Sequence, residues 1–579
     1  MSNHIANAKS LGDMLRLTVQ TFGSKVALMI PQSKGEFKTL TYDEMFAEVF
    51  RYAKALDGLG LKRGDRISLL AESCSEWAMT DWAAQTLGII VIPIYPTLPP
   101  DQAEYIAKDS GSRLAVTLDK RLSDKLAGIP DFNCYTLRPA AGDTGLLSFA
   151  DKSKLSMEEW NRRIDAIDPD DLATFIYTSG TTGQPKGAML RHRCFTSLCI
   201  NIRDSLPIDD RDTFLSFLPL SHVFERFAGH VLPVGVGATI GYAGSLASLA
   251  SDMTKVRPTV MLCVPRFLES TRAKIVEGVD KMPPLRQKLF RWALAQGLKK
   301  QKGQFAPFAG ILDKLVGAKI RDKMGGRIRL LVSGGAALAP HVSEFYIAFG
   351  FTVLQGYGLT ETTAATCINH PDDNRPWTVG MPIGNVEVSI APDGEILIRG
   401  ESVMQGYYNL PEATAEAIDA EGWFHTGDIG EFEGKHLKIT DRKKDLLVLG
   451  NGKNVAPQPV ENKLKESEYI NEAVLLGDGM DSCSALIVPE FDRVKAFLKE
   501  QGIDEVDPAK MVTLDSVKAL IKGEVDRINK TLADFEKVKR HALVGKPFTV
   551  DDGELTPSLK VRKKVVKDMY SDTIKSMQK

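Results

Sequence analysis

The sequence predicts a layered α/β fold followed by a small α+β domain. Three observations carry that expectation: the length of the chain, the alternation of apolar strands with helical stretches over much of it, and the change to short strands and turns after Gly380. With 579 residues the chain exceeds what one hydrophobic core supports, since cores stop growing beyond roughly 250–300 residues. From Leu40 to Thr117 a helical pattern over Tyr42–Leu59 leads to an apolar strand, Arg66–Ala71, then to a helix through Trp77–Leu87 and a strand from Gly88 to Tyr95 that Pro96 closes. Further short apolar strands at Thr213–Phe217, Thr259–Val264 and Ile328–Ser333, separated by helices, call for largely parallel sheets. After Gly380 the turn Pro392-Asp393-Gly394 between Val386–Ile390 and Glu395–Arg399 predicts a small β-barrel-like or antiparallel-sheet subdomain.

The charged group Asp441-Arg442-Lys443-Lys444-Asp445 separates the strand His436–Thr440 from apolar Leu446–Leu449, and a domain boundary is placed there, giving domains 1–440 and 441–579. The second holds helical stretches (Val460–Lys465, Val494–Gln501, Thr513–Leu532) and strands (Ala473–Leu476, Ser484–Val488). Lysines and arginines number 73 against 74 acidic residues, so a general polyanion-binding role is not implied and no nucleic-acid partner is expected. Seven cysteines without a C-x-x-C pair and nine histidines without H-E-x-x-H spacing argue against zinc and against a disulfide framework. The start of the chain, Met1–Asp13, is polar, and no apolar run is long enough to span a bilayer, so a cytoplasmic protein is expected. The segment Lys274–Lys323 is helix-prone and basic. It reads as an exposed excursion from the sheet, either a plain solvated face or a peripheral membrane contact.

Chemistry concentrates in a few loops. Thr178-Ser179-Gly180-Thr181-Thr182-Gly183-Gln184-Pro185-Lys186-Gly187 combines hydroxyls, glycine backbone and one ammonium at the end of the strand Leu172–Tyr177, with a helix expected over Arg191–Leu206. Such a loop suits a polyphosphate. It is not a Walker loop, because Lys186 follows Pro185 and Gly187 follows it. Gln355-Gly356-Tyr357-Gly358-Leu359-Thr360-Glu361-Thr362 follows the strand Phe351–Leu354. Its Tyr357 ring suits a purine face or a half-buried turn, while Thr360 and Glu361 offer oxygens to phosphate and to a hard cation. Upstream, Ser333-Gly334-Gly335-Ala336 ends a strand with side chains small enough for a planar base to approach. In Trp423-Phe424-His425-Thr426-Gly427-Asp428 the carboxylate after a glycine turn can accept two hydroxyl donors, or form a salt bridge with the junction charges. Lys560, in Leu555-Thr556-Pro557-Ser558-Leu559-Lys560-Val561-Arg562, reads by itself as a solvated surface charge.

Together these stretches resemble the acyl-adenylate-forming superfamily, and the resemblance runs from Leu40-Thr41-Tyr42 to Lys563. Leu218-Pro219-Leu220-Ser221-His222-Val223-Phe224-Glu225-Arg226 looks most like the gate motif of the long-chain fatty-acid–CoA ligase branch. The resemblance implies an AMP-forming enzyme that uses ATP, Mg²⁺, a medium to long-chain fatty acid and CoA, or alternatively one that loads a carrier-protein phosphopantetheine. It implies that Ser179, Gly180, Thr181, Thr182 and Gly183 hold phosphates. Gly335, Ala336 and Tyr357, with Gln355, Gly356 and Gly358 of the same motif, would border the adenine. Thr360 would contact the α-phosphate, Thr178 and Glu361 would hold Mg²⁺, and Asp428 and Arg442 would hold the ribose. Lys186 and Lys560 would stabilise charge on the phosphates, His222 would lie before the acyl site, and Gly452 would let the pantetheine arm pass. Domain 441–579 would then be mobile, swivelling at Asp441. Phe227, Val231 and Leu232 would line an acyl tunnel or belong to the core.

Overall fold

A computed structural model of the chain describes residues 3–178, 184–450, 453–549, 551–556 and 561–578. Over them the chain divides into two compact units. The first comprises residues 1–389, 397–426 and 434–437, and the second residues 390–396, 427–433 and 438–579.

Two large sheets organise the first unit. One has seven strands in the order Gly406–Tyr407, Lys186–Arg191, Leu172–Thr178, Ile90–Ile94, Arg66–Leu70, Leu114–Thr117, Asn133–Thr136. Its central pairs are parallel, and Lys186–Arg191 adds an antiparallel edge. Ile90–Ile94 and Leu114–Thr117 are buried along their whole length, as strands covered by helices on both faces must be. The other sheet has nine strands, with Leu330–Ser333 and Thr352–Tyr357 beside each other in parallel. The helix Tyr42–Gly58 begins at a capping box. Thr41 Oγ1 accepts the Glu44 amide and the Glu44 carboxylate accepts the Thr41 amide, satisfying two N–H groups that the first turn leaves open.

After Gly380 the expected β subdomain appears as the strands Glu387–Ile390, Glu395–Arg399, Phe424–Glu433 and His436–Arg442. The Pro392-Asp393-Gly394 turn forms as read: Gly394 adopts φ +87°, and Ala391 accepts its amide. In the second unit Ile470–Leu476, Cys483–Pro489 and Val538–Leu543 make a three-stranded sheet packed by the helices Pro457–Leu464, Phe491–Glu500 and Asp515–Asn529. Among the described residues no helix is long and apolar enough to cross a membrane, and no cluster of three or more His, Cys, Asp or Glu is arranged to hold a metal.

The helix expected over Arg191–Leu206 is present, but a strand that the sequence did not announce lies between it and the polyphosphate-type loop. The chain first returns as the strand Lys186–Arg191, antiparallel to Leu172–Thr178, and the helix runs over His192–Ser205. Gly187 favours the close pairing: a side chain there would meet the Tyr177 ring at about 3.0 Å, a tight contact that glycine avoids.

Candidate active site

The hairpin register places Thr178 opposite Lys186, and the Thr178 hydroxyl lies 3.5 Å from the Lys186 carbonyl oxygen. The short strand Gly406–Tyr407 pairs on the far side of Lys186–Arg191, with Tyr407 opposite Ala188. This lays the Tyr407 ring under Lys186, whose Nζ sits 5.2 Å from the ring centroid. The Tyr407 hydroxyl donates to Glu361 Oε1 at 2.8 Å, and the Met404 amide donates to the Glu361 carbonyl. Lys186 and Glu361, drawn from two separate motifs, thus meet at one aromatic ring, and Thr178 is paired opposite Lys186. Burial first, and the Glu361 charge second, push the Tyr407 phenol far above its ordinary range, so it remains a donor.

The loop bearing Glu361 is built by close backbone approach. Any side chain at Gly358 would collide with the Ala364 carbonyl oxygen, about 2.1 Å from the position of a Cβ. The turn continues through Thr360–Thr362 as one turn of 3₁₀ helix, and Thr363 and Ala364 then adopt left-handed φ of 57° and 83°. Two consecutive non-glycine residues in that region are strained backbone that the surrounding structure must hold in place. Tyr357 is almost fully buried, paired opposite Cys367. Gln355 uses both ends of its amide on backbone: Oε1 accepts the Leu338 amide at 2.6 Å and Nε2 donates to the Thr378 carbonyl at 3.0 Å. It therefore braces the turn after Leu330–Ser333. In that turn Gly335 has φ +83° and open space where a Cβ would be, and Gly335 and Ala336 are exposed. Gly334 lies against the Phe224 ring, joining this ledge to the segment that begins at His222.

His222 caps the short helix Val223–Glu225, its Nδ1 accepting the Phe224 amide at 3.1 Å. A turn of π-helix, Arg226–Val231, follows and encloses a buried charge network. Arg226 binds both oxygens of Asp81, at 3.0 and 2.5 Å, and donates to Thr174 Oγ1; His230 Nε2 lies 3.4 Å from Asp81. Burial alone would raise the Asp81 carboxyl. The Arg226 charge and His230 outweigh burial and hold it below the usual carboxylate range. The neighbouring Glu225 accepts from Ser216 at 2.6 Å through Oε1, while its buried Oε2 has no partner among the described residues, and burial pushes its carboxyl up to about 8. Phe227, Val231 and Leu232 are fully buried side chains.

Within the second unit Asp428 is buried, follows Gly427 at φ +68°, and pairs with Arg442 Nε at 3.2 Å. Both candidate ribose ligands are therefore adjacent, and the salt bridge that the sequence left open is formed. Asp441 accepts the Arg442 amide at 2.6 Å and the Gln458 amide at 3.1 Å, tying the junction to the first turn of the helix Pro457–Leu464. Burial, partly offset by these amides, pushes its carboxyl up to about 6. Leu555 and Val561 pair across an antiparallel bridge. Ser179, Gly180, Thr181, Thr182, Gly183, Gly452 and Lys560 lie outside the described residues.

Two features escaped sequence reasoning. Tyr407 lies 46 residues from Glu361, and its only local signal is a glycine before a tyrosine pair, Gly406-Tyr407-Tyr408. Asp81 lies 145 residues before Arg226 and reads in the sequence as an ordinary helix residue.

Residues 15–408 match the family described as AMP-binding enzyme, and residues 444–579 match the AMP-binding enzyme C-terminal domain. The chain is 31% identical over 580 residues to the peroxisomal long chain acyl-CoA synthetase 6 of Arabidopsis thaliana, covering 94% of this chain and 82% of that one. It is 30% identical over 569 residues to a long-chain-fatty-acid–CoA ligase of Mycobacterium bovis, covering 94% and 93%. In fold it is similar to ATP-bound MatB from Rhodopseudomonas palustris, with TM-score 0.72 and 23% identity over 96% of this chain and 99% of that one. It is also similar to the adenylation domain of a carboxylate reductase from Mycobacterium chelonae, with TM-score 0.76 and 22% identity over 99% and 93%.

Proposed function

From a chain that belongs to the AMP-binding enzymes, and among them to the long-chain acyl-CoA synthetases, we infer ATP-dependent activation of a fatty acid to its CoA thioester. In the first half-reaction a carboxylate oxygen attacks the α-phosphorus of ATP. A P–O bond forms, the bond to the β-phosphate oxygen breaks, and pyrophosphate leaves. In the second, the CoA sulfur attacks the acyl carbonyl, the C–S bond forms, AMP leaves and the thiol proton passes to solvent. An anion attacking a polyanion is limited by charge and alignment rather than by proton transfer, so fixed cations and donors are what the protein must supply.

The observation that carries this reading is the Lys186–Tyr407–Glu361 assembly beside Thr178. Lys186 neutralises phosphate charge, and the phenol orients the carboxylate. Glu361 and Thr178 suit Mg²⁺: one carboxylate and one hydroxyl leave the remaining positions to water and phosphate oxygens, the way this cation is commonly held. Bound there, Mg²⁺ neutralises phosphate charge and orients the oxygens. Asp428 and Arg442 hold the ribose. Gly335, Ala336 and Tyr357, with Gly356 and Gly358, form the adenine bed, and Gln355 braces it rather than touching the base. Lys560 acts on the α-phosphate in the first half-reaction. The segment from Asp441 then turns so that Gly452 meets the pantetheine arm, with Asp441 as the pivot.

Free CoA is the acceptor. The test supplies the adenylated enzyme with free CoA or with a phosphopantetheinylated carrier protein. Fatty acyl-CoA as the faster product is expected, and exclusive loading of the carrier protein overturns the assignment.

A further inference from the structure

Lys560, Arg562, Lys563 and Lys564 put four cations within five residues, and one of them has to be the group that meets the α-phosphate. A contact that accepts one particular cation of this run fixes which of the others is presented.

The chain on both sides of Lys560 is held within the second unit. Leu555 and Val561 pair across the antiparallel bridge, and the Arg562 amide donates to the Glu554 carbonyl at 2.8 Å. Glu554 is itself fully buried: its Oε2 accepts the Thr549 amide at 3.1 Å, and Lys546 Nζ lies 2.8 Å from its Oε1. Leu555 and Val566 pack with Val474 and Leu486 of the three-stranded sheet. Backbone pairing and apolar packing anchor this segment, but they do not tell one cation from its neighbour.

Lys563 does. Its Nζ lies 3.0 Å from Glu461 Oε2, with the lysine side chain 23% and the glutamate side chain 9% exposed. Arg562 and Lys564, on either side of it, are exposed. The other oxygen of Glu461, Oε1, accepts the Leu475 amide at 2.9 Å, which fastens the carboxylate to the strand Ile470–Leu476. Glu461 stands on Pro457–Leu464, the helix whose Gln458 amide donates to Asp441. One helix therefore grips the junction at its first turn and the segment after Lys560 at its second. A carboxylate buried to this degree is costly without its cation, and fixing register is the best-attested use of such a pair.

We propose that Glu461 and Lys563 are positioning residues for adenylation: their ion pair sets the register of the chain from Val561 onward, so that Lys560 rather than a neighbouring cation is delivered to the α-phosphate. The proposal rests on the assignment of Lys560 to the first half-reaction. Both residues act through Lys560 and not on the substrate. A reacting group displaced by about 1 Å loses on the order of 100-fold in rate, so a small slip here is felt in adenylation. Thioester formation, in which Lys560 has no part, does not feel it.

The test measures two rates in the full chain: acyl-AMP formation in a single turnover, and thioester formation from supplied acyl-AMP and CoA. Glu461→Gln keeps an oxygen for the Leu475 amide and removes the charge. It is expected to slow acyl-AMP formation about 10- to 100-fold and to leave thioester formation near the wild-type rate. Lys563→Met gives the same loss, Glu461→Gln/Lys563→Met loses no more than either alone, and Lys563→Arg, which keeps the pair, regains most of the rate. Added to Lys560→Ala, Glu461→Gln costs nothing further. Wild-type adenylation in Glu461→Gln, equal loss in both half-reactions, or a loss that adds to that of Lys560→Ala overturns the proposal. If Lys560→Ala slows only adenylation while Glu461→Gln does not, the positioning role alone falls; if Lys560→Ala slows both half-reactions equally, the assignment of Lys560 falls with it.

Discussion

Tyr407→Phe tests the assembly of the active site with one atom. The substitution removes the hydroxyl that donates to Glu361 at 2.8 Å and keeps the ring that faces Lys186 at 5.2 Å. Outer partners that orient a metal-binding carboxylate contribute about 10- to 100-fold in metal affinity. This corresponds to about 1.4–2.7 kcal/mol, within the range for a hydrogen bond to a charged group. The expected result is a shift of the Mg²⁺ midpoint for pyrophosphate release by that factor, with most of the rate restored at saturating Mg²⁺. Because the phenol stays protonated far above neutrality, the shift is the same across the working pH range. Tyr407→Ala also removes the ring beneath Lys186, so its loss persists at saturating Mg²⁺. An unchanged midpoint in Tyr407→Phe, or a loss equal at every Mg²⁺ concentration, refutes the positioning role.

Removing one partner of the buried Asp81–Arg226 pair, as in Asp81→Asn or Arg226→Met, strands an uncompensated charge and is expected to cost about 3–5 kcal/mol in the urea unfolding of the first unit. The double variant recovers much of that loss, and additive losses would show that the two are not coupled. Glu225 titrates near 4.5 when unfolded and near 8 when folded, so its contribution is complete below about pH 4.5 and is lost as pH rises towards about 8. Glu225→Gln removes that decline; parallel pH–stability curves for wild type and variant contradict it. Lys560→Ala is expected to slow acyl-AMP formation by about 10²–10³-fold while leaving thioester formation from supplied acyl-AMP near wild type. Equal loss in both half-reactions contradicts a lysine that acts in only one of them.

What was legible in the sequence is what is encoded locally. Ile90–Ile94 reads as a buried strand because every one of its side chains is apolar, and the Pro392-Asp393-Gly394 turn reads from residues that impose its dihedrals. The strand Lys186–Arg191 was not legible. Its Lys-Gly-Ala-Met-Leu-Arg sequence has no strand alternation, and it is held by pairing with Leu172–Thr178 and with Gly406–Tyr407 across more than 200 residues of chain. The site divides the same way. Hydroxyl and glycine loops announce themselves, whereas the residues that position them, Tyr407 for Glu361 and Asp81 for Arg226, come from distant segments that only tertiary structure brings close. Gln355 shows the opposite case: it belongs to a recognisable motif, yet its side chain is engaged entirely with backbone.

The central claim, activation of a long-chain fatty acid for transfer to CoA, is tested most directly by pyrophosphate release across acids from acetate through medium and long-chain fatty acids to aromatic carboxylates, with and without CoA. Each buried methylene contributes about 0.8 kcal/mol, close to a fourfold step in specificity. The account therefore predicts kcat/KM rising steeply with chain length into the medium to long range, with sustained turnover only when CoA is present. Highest specificity for acetate or an aromatic acid, or turnover indifferent to CoA, would contradict it.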